Sequence, residues 1–265
     1  MNTRETNEGD LKMSVYAVSD LHGQYEVFIR GLEKIGFSDS DELYVIGDAV
    51  DRGPDGIKLL QYIKERSNMT LILGNHEVLM LGSVDPNGEK KCNGVHADLW
   101  LYYNGGVATY EKYRELSDDE RRSLLLWLNR CYVIKTIEVG GRKFCLTHSY
   151  YSEELENRQY YESDGDLVWD NVWTSLFRED EDTRGEDIYR DYDYEFITGH
   201  VPVQRVRARY ARIADYNVLA SYRCGNLVDI DGGCAMGDAY GVNNGAIFLR
   251  LDDMEEFPVS IRDDK

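Results

Sequence analysis

Three stretches decide the fold: VYAVSDLHG (15–23), LYVIGDAVDRG (43–53) and LILGNHE (71–77). Each opens on a short apolar run, at 15–18, 43–46 and 71–73, and closes on a polar loop. Such a run, bounded by turn residues, reads as a buried strand, and a strand delivers its last residues to one edge of a sheet. Asp20, His22, Asp48, Asn75 and His76 are therefore expected at a common edge. Carboxylate, imidazole and amide oxygen together form a donor set for hard-to-borderline divalent cations. Asp20 and His22 stand two apart on extended chain and point the same way, and Asp48 has two oxygens with which to bridge two ions.

Outward from these strands, residues 24–35 place Val27, Phe28, Leu32 and Ile35 at helical spacing. Residues 54–66 open with proline and carry Ile57, Leu60 and Ile63 on one side. The β-α-β-α-β order predicts a parallel sheet with helices packed on it. Ser117 and Glu120 form a capping box ahead of a helix over 124–128, whose apolar positions at 124–127 are read as core. Residues 133–139 and 143–147 read as a hairpin turning over Gly140-Gly141. A helix is expected over 167–177 and late strands over 195–198, 227–230 and 246–251. The fold class is α/β (α+β): packed mixed β-sheets flanked by helices. Two more histidines, His148 and His200, each follow an apolar run, so four of the five histidines fall at strand ends or in the motifs.

The 265 residues allow one sizeable core, with no Pro- or Ser-rich linker and no repeat. MNTRETNEGDLK (1–12) has no apolar signal core and reads as a tail, leaving 13–265 as a single domain. No apolar stretch approaches a bilayer span, so no membrane is expected. Five scattered cysteines without a CxxC pair point to reduced thiols and the cytoplasm. The net charge of −19 (30 Lys+Arg, 49 Asp+Glu) argues against a nucleic-acid duplex as partner and repels phosphorylated substrates at long range. Any anion handled here needs strong local positive charge. The acidic runs 179–187 and 252–256 read as solvated.

The three motifs resemble those of the PPP-type metallophosphatases of the calcineurin-like metallophosphoesterase superfamily, whose signature is GDxH, GDxVDRG and GNHE followed by separate histidine motifs. The chain is most similar to small bacterial and phage-type members, among them serine/threonine protein phosphatases and symmetrical dinucleoside tetraphosphatases. The resemblance extends to GHVPV (199–203) and DIDGGCAMG (229–237). It implies two divalent metal ions, manganese first with iron or zinc as alternatives. One would take Asp20, His22 and Asp48, the other Asp48, Asn75, His148 and His200. Such a pair acidifies a water that attacks phosphorus in line. The resemblance makes His76, pointing away from the metals, the general acid, with Asp51 holding its tautomer and Arg52 gripping phosphate oxygens.

The sequence departs from that pattern at SDLHG, where serine precedes the aspartate, and at VWDNVW (168–173). Family members usually place a second phosphate-binding arginine in the latter stretch; here it is Asn171, with Arg178 seven residues on. Arg205, Arg207 and Arg209 would share one face of a strand, and Arg205 and Arg207 are candidate replacements beside a reading as a solvated edge. Tyr150 and Tyr151 after His148 are read as packing, Cys92 and His96 as part of a solvated loop, and Asp231 as fold support. The leading expectation is hydrolysis of phosphoserine or phosphothreonine in proteins. Dinucleoside polyphosphate hydrolysis is the alternative, and an inactive scaffold on the same fold the third reading.

Overall fold

Parallel pairing of the three motif-bearing strands is the centre of the computed structural model, which describes residues 13–91, 95–160, 165–175, 189–211, 215–238 and 242–262. β1 (Val15–Ser19), β2 (Glu42–Ile46) and β3 (Met69–Ile72) are linked by helices α1 (Tyr25–Ile35) and α2 (Gly56–Lys64). Two later antiparallel strands, β9 (Gly245–Arg250) and β10 (Glu255–Ser260), complete a sheet in the order β10-β9-β1-β2-β3. The second sheet runs β4-β5-β6-β8-β7, from β4 (Ile134–Val139), β5 (Arg142–Thr147), β6 (Glu195–Thr198), β7 (Tyr222–Cys224) and β8 (Leu227–Asp229). The β4–β5 turn contains Gly140 and Gly141, both at positive φ. Two mixed sheets flanked by helices are the expected α/β class.

Strand alternation feeds two cores. Val15, Ala17, Tyr44, Ile46 and Ile72 of the first sheet pack with Phe144, Leu146, Ile197 and Val228 of the second. Tyr16, Val18, Leu43 and Val45 point the other way, into a cluster with Val27, Phe28, Leu32 and Leu60 of the helices. Strands buried on both faces read as continuous apolar runs, which is why they stood out in the sequence. Each fully buried Val, Leu, Ile or Phe contributes about 1.5–3 kcal/mol.

Several elements differ from the sequence reading. Helix α3 (Asn75–Ser83) begins at the metal-type donor Asn75 itself, where no helix was expected. α4 (Val95–Asp98) runs into a π-helical turn, Leu99–Tyr103, and is followed by α5 (Val107–Glu115). α6 (Asp118–Leu128) starts at the predicted capping box: Ser117 Oγ accepts from the Glu120 N–H, and the Ser117 N–H donates to Glu120 Oε2 at 2.8 Å. α7 is described over Gly165–Trp173; Arg178, the 179–187 run, the 1–12 tail, Cys92 and the His96 side chain lie outside the described residues.

The arginine stretch is a correction. It is not a strand but α8 (Val203–Val206) continuing as a π-helical turn, Arg207–Ala211. Alternate residues on a helix diverge rather than share a face, so the arginines separate. Among the described residues no helix is long and apolar enough to cross a membrane.

Candidate metal centre

The loops after β1, β2, β3, β5 and β6 converge. Asp20, His22, Asp48, Asn75, His76 and His148 are all buried, and His200 is half-buried beside them. The donor atoms of His22, Asp48 and His76 lie within 4.8 Å of one another, as do those of Asp48, His148 and His200. Asp48 is common to both groups. Its Oδ2 is 3.7 Å from Nε2 of His22, 3.7 Å from Nε2 of His76 and 3.5 Å from Nε2 of His148. Nε2 of His148, Nδ1 of His200 and Oδ1 of Asn75 stand 2.9–3.1 Å apart.

These atoms are short of donors. Nδ1 of His148 lies 3.4 Å from the Ile46 carbonyl, and Nδ1 of His22 lies 3.2 Å from the Val50 carbonyl. A carbonyl only accepts, so both rings carry their proton on Nδ1 and turn an Nε2 lone pair inward. Burial lowers the proton affinity of His22 and His148 well below the usual imidazole value and that of His200 to about 4, so all three rings stay neutral. It also raises Asp20 and Asp48 well above the usual carboxylate range. Lone pairs crowded about 3 Å apart repel unless a cation sits among them; ligands at about 2.1 Å from one ion have this spacing. The residues fit a pair of divalent cations.

Asp20 stands somewhat apart from the expected grouping. Both its carboxylate oxygens accept the backbone N–H of His200, at 3.0 and 3.1 Å, tying the first sheet to the second. His76 does not point away from the cluster: its Nδ1 meets Asp51 Oδ2 at 2.6 Å while its Nε2 faces Asp48. Burial pushes Asp51 up to about 7 and His76 down to about 3, which disfavours separated charge within the pair. One proton between Nδ1 and Oδ2 satisfies both.

The backbone around these ligands is strained and tightly packed. Among the described residues, six of the eight non-glycine residues at positive φ are Asp20, His22, Asp48, Asp51, Arg52 and His200. Such conformations cost about 1–3 kcal/mol each and persist where the surroundings enforce them. Two motif glycines allow the close approach. A Cβ on Gly199 would lie 1.9 Å from Asp20 Oδ2, and one on Gly74 would lie 2.2 Å from Asp48 Oδ1.

Glu77, at the end of GNHE, carries a role that sequence reasoning missed. Its buried carboxylate accepts the N–H groups of Asp48, Ala49, Val50 and Gly74, at 2.8, 2.8, 3.3 and 2.9 Å. It thereby sets the loop that aims Asp48. Glu77→Gln places an NH2 group against N–H donors, and unfolding free energy should fall by about 3 kcal/mol in a denaturant titration. An unchanged midpoint would contradict this.

An open cavity of about 290 Å³ lies over the cluster, lined by His22, Asp48, Asn75, His76 and His200 together with Arg52, Arg205, Asn104, Trp173, Asp231 and Met236. Neither the Arg52 nor the Arg205 guanidinium has a hydrogen-bond or ion-pair partner among the described residues. Arg207 is different: it donates to the carbonyls of Val218 at 2.7 Å, Ser221 at 3.1 Å and Ala220, so it braces the fold and does not line the cavity. Asn171 is buried in α7, away from the cavity lining, and both its amide atoms are unpartnered. Asp231 does line the cavity, a placement its reading as fold support did not include. Tyr151 packs against Tyr189, Tyr192 and Phe196 and donates to Glu156.

Two mixed sheets presenting two Asp48-sharing donor groups at their strand ends define a dinuclear metallophosphoesterase architecture. The chain belongs to the calcineurin-like phosphoesterase family, whose model matches residues 13–225. It is 42% identical over 146 residues to a symmetrical bis(5'-nucleosyl)-tetraphosphatase of Buchnera aphidicola, covering 54% of this chain and 47% of that relative. It thus spans about half the length of the tetraphosphatase relatives it matches. It is 26% identical over 221 residues to serine/threonine-protein phosphatase 2 of Salmonella typhimurium, covering 82% of this chain and 92% of that one. A serine/threonine phosphatase structure from Saccharomyces cerevisiae superposes with a TM-score of 0.53 at 15% identity, covering 98% and 82% of the two chains. A metallophosphoesterase from Sphaerobacter thermophilus gives 0.51 at 12% identity, covering 94% and 87%.

Proposed function

We propose that this chain is a metal-dependent phosphomonoesterase acting on phosphoserine and phosphothreonine in proteins. The observation that carries the reading is the conjunction, around one open cavity, of the His22, Asp48, Asn75, His148 and His200 donors, His76 backed by Asp51, and the Arg52 and Arg205 guanidinium groups. The correspondence over nearly the whole length of serine/threonine-protein phosphatase 2 supports a protein substrate.

His22, Asp48 and Asp20 would hold one ion, and Asp48, Asn75, His148 and His200 the other. Bound there, two divalent cations, which we take to be Mn2+, supply charge that the acidic chain lacks and bring the pKa of water near neutrality. The chain's own residues do the rest. Arg52, exposed and unpaired, offers a planar fork to phosphoryl oxygens, on which negative charge grows in the transition state. His76 delivers its Nε2 proton to the leaving oxygen while the proton it shares with Asp51 settles on Nδ1, so the ring ends neutral and Asp51 ends as the carboxylate. The buried thiols of Cys131, Cys145 and Cys234, none of them in a disulfide, favour a cytoplasmic setting.

Arg205 is assigned to ground-state phosphate binding, the role Asn171 cannot fill from its buried position. Arg205→Ala should raise KM for a phosphopeptide about tenfold with kcat within about threefold, since it removes uniform binding. Arg207→Ala should instead lower the melting temperature and leave KM unchanged. The reverse pattern would exchange the two assignments.

A second reading, symmetrical cleavage of dinucleoside tetraphosphates, is supported by the 42% identity to a tetraphosphatase over 146 residues and by one structural feature. The indoles of Trp169 and Trp173 stack at 4.8 Å with 14° between planes, and Trp173 lines the cavity, where an aromatic face can take a base. Purified protein with Mn2+ tested side by side on a phosphoserine peptide and diadenosine tetraphosphate decides between them. Phosphate release from the peptide, abolished by a chelator, is the expected result. Turnover of the tetraphosphate alone would select the second reading, and turnover of neither with metal bound would leave a binding protein on this fold.

A further inference from the structure

Asp51 and Arg52 are consecutive residues in the left-handed region, at φ 73° and 64°, and neither is glycine or asparagine. Something outside their own loop must hold them there. Three contacts do so, all from residues 100–109, roughly fifty positions further along the chain. The Asp51 N–H donates to Thr109 Oγ1 at 2.9 Å. The Arg52 N–H donates to the Gly105 carbonyl at 3.1 Å. The Trp100 Nε1–H donates to Asp51 Oδ2 at 2.7 Å, the same oxygen that meets His76 Nδ1 at 2.6 Å.

Trp100 is fully buried and sits in the π-helical turn Leu99–Tyr103, an irregular local form often found at functional sites. Thr109 is also buried. The indole N–H is a donor only, so its target must remain an acceptor. With one lone pair of Oδ2 committed to Trp100, the carboxylate plane cannot rotate away from His76. Its other oxygen, Oδ1, is buried without a hydrogen bond of good geometry, and the Thr109 hydroxyl beside the carboxyl group favours its charged form.

We propose that residues 100–109 are a positioning element for the proton donor: Trp100 fixes the Asp51 carboxyl group, Thr109 fixes its backbone, and together they hold His76 in the form that presents an Nε2–H to the leaving oxygen. The inference rests on the general-acid role given to His76 above. It adds two residues that touch neither metal ligands nor substrate and that no motif marks.

The test uses the full chain, metal-loaded, as wild type, Trp100→Phe and Thr109→Val. Trp100→Phe keeps an aromatic ring and loses the donor; Thr109→Val keeps the shape and loses the acceptor. Each should lower kcat about tenfold on a phosphoserine peptide, whose alkoxide leaves only when protonated. On p-nitrophenyl phosphate, whose leaving group needs no proton, the loss should stay below about twofold, with KM and metal content unchanged. In parallel, imidazole ¹⁵N chemical shifts of His76 should report a single Nε2–H form in wild type, with Nδ1 facing Asp51, and a mixture in the variants. A purely structural role would lower melting temperature while leaving the substrate ratio and the ¹⁵N pattern as in wild type, and that result overturns the proposal. Should Trp100→Phe fail to fold, Thr109→Val carries the same decision. A wild type inert on every phosphate ester, yet showing a tautomer that shifts in the variants, would refute the phosphatase reading and leave the positioning role standing.

Discussion

Asp48→Asn should leave a folded protein that holds fewer than one divalent ion per chain, with phosphopeptide turnover reduced at least about a thousandfold. The loss follows from shared charge. Asp48 is the only residue common to the two donor groups, and its Oδ2 lies within 3.7 Å of three imidazole nitrogens. Asparagine is nearly the same size and keeps one oxygen, which can still accept the His76 N–H that Asp48 Oδ1 takes at 3.1 Å. Its amide N–H groups pair comfortably with the inward lone pairs of His22 and His148. The fold therefore has little reason to fail, while both cation positions lose their common anion. Elemental analysis together with steady-state rates checks this. Two ions per chain with normal rates would dismantle the site assignment.

His76→Asn should behave differently, keeping both ions but slowing phosphoserine hydrolysis by about a hundred- to a thousandfold, the usual range for a positioned proton donor. On p-nitrophenyl phosphate the loss should be below about tenfold, because that leaving group departs as a stable anion. His76 sits 2.6 Å from Asp51 and 3.7 Å from Asp48, so it joins the proton-handling pair to the metal cluster. The contrast between leaving groups separates these functions. Equal losses on both substrates, or release of an ion, would make His76 a ligand rather than an acid.

Much of this was legible in the chain because the strands and their loops are contiguous. The β1-α1-β2-α2-β3 opening showed as apolar runs followed by helical spacing, and each run ended on the residues that gather in the cavity. The hairpin and the capping box were equally local. The RVRAR alternation misled, since period two is also what a short helical turn shows when valine and alanine fall between arginines. Only packing decides that Arg207 braces three carbonyls while Arg205 faces the cavity. α3 was hidden because it starts on Asn75, where motif reading attends to donors rather than to backbone. β10 carries Pro258, a poor strand residue tolerated on an edge, and β7 is only three residues long. Trp100 and Thr109 left no signal at all: their role exists only once distant segments meet.

The interleaving of the sheets has a consequence for the order in which the protein can mature during synthesis. β1 is made first, yet its neighbour on one side is β9, emerging some 230 positions later, after every strand of the other layer. Until then β1 presents a bare edge, a site for mispairing with other nascent chains. His148 and His200 likewise leave the ribosome long after Asp20 and His22. A partly made chain therefore cannot assemble the full set of ion-holding groups, and hydrolytic competence should arrive late and all at once.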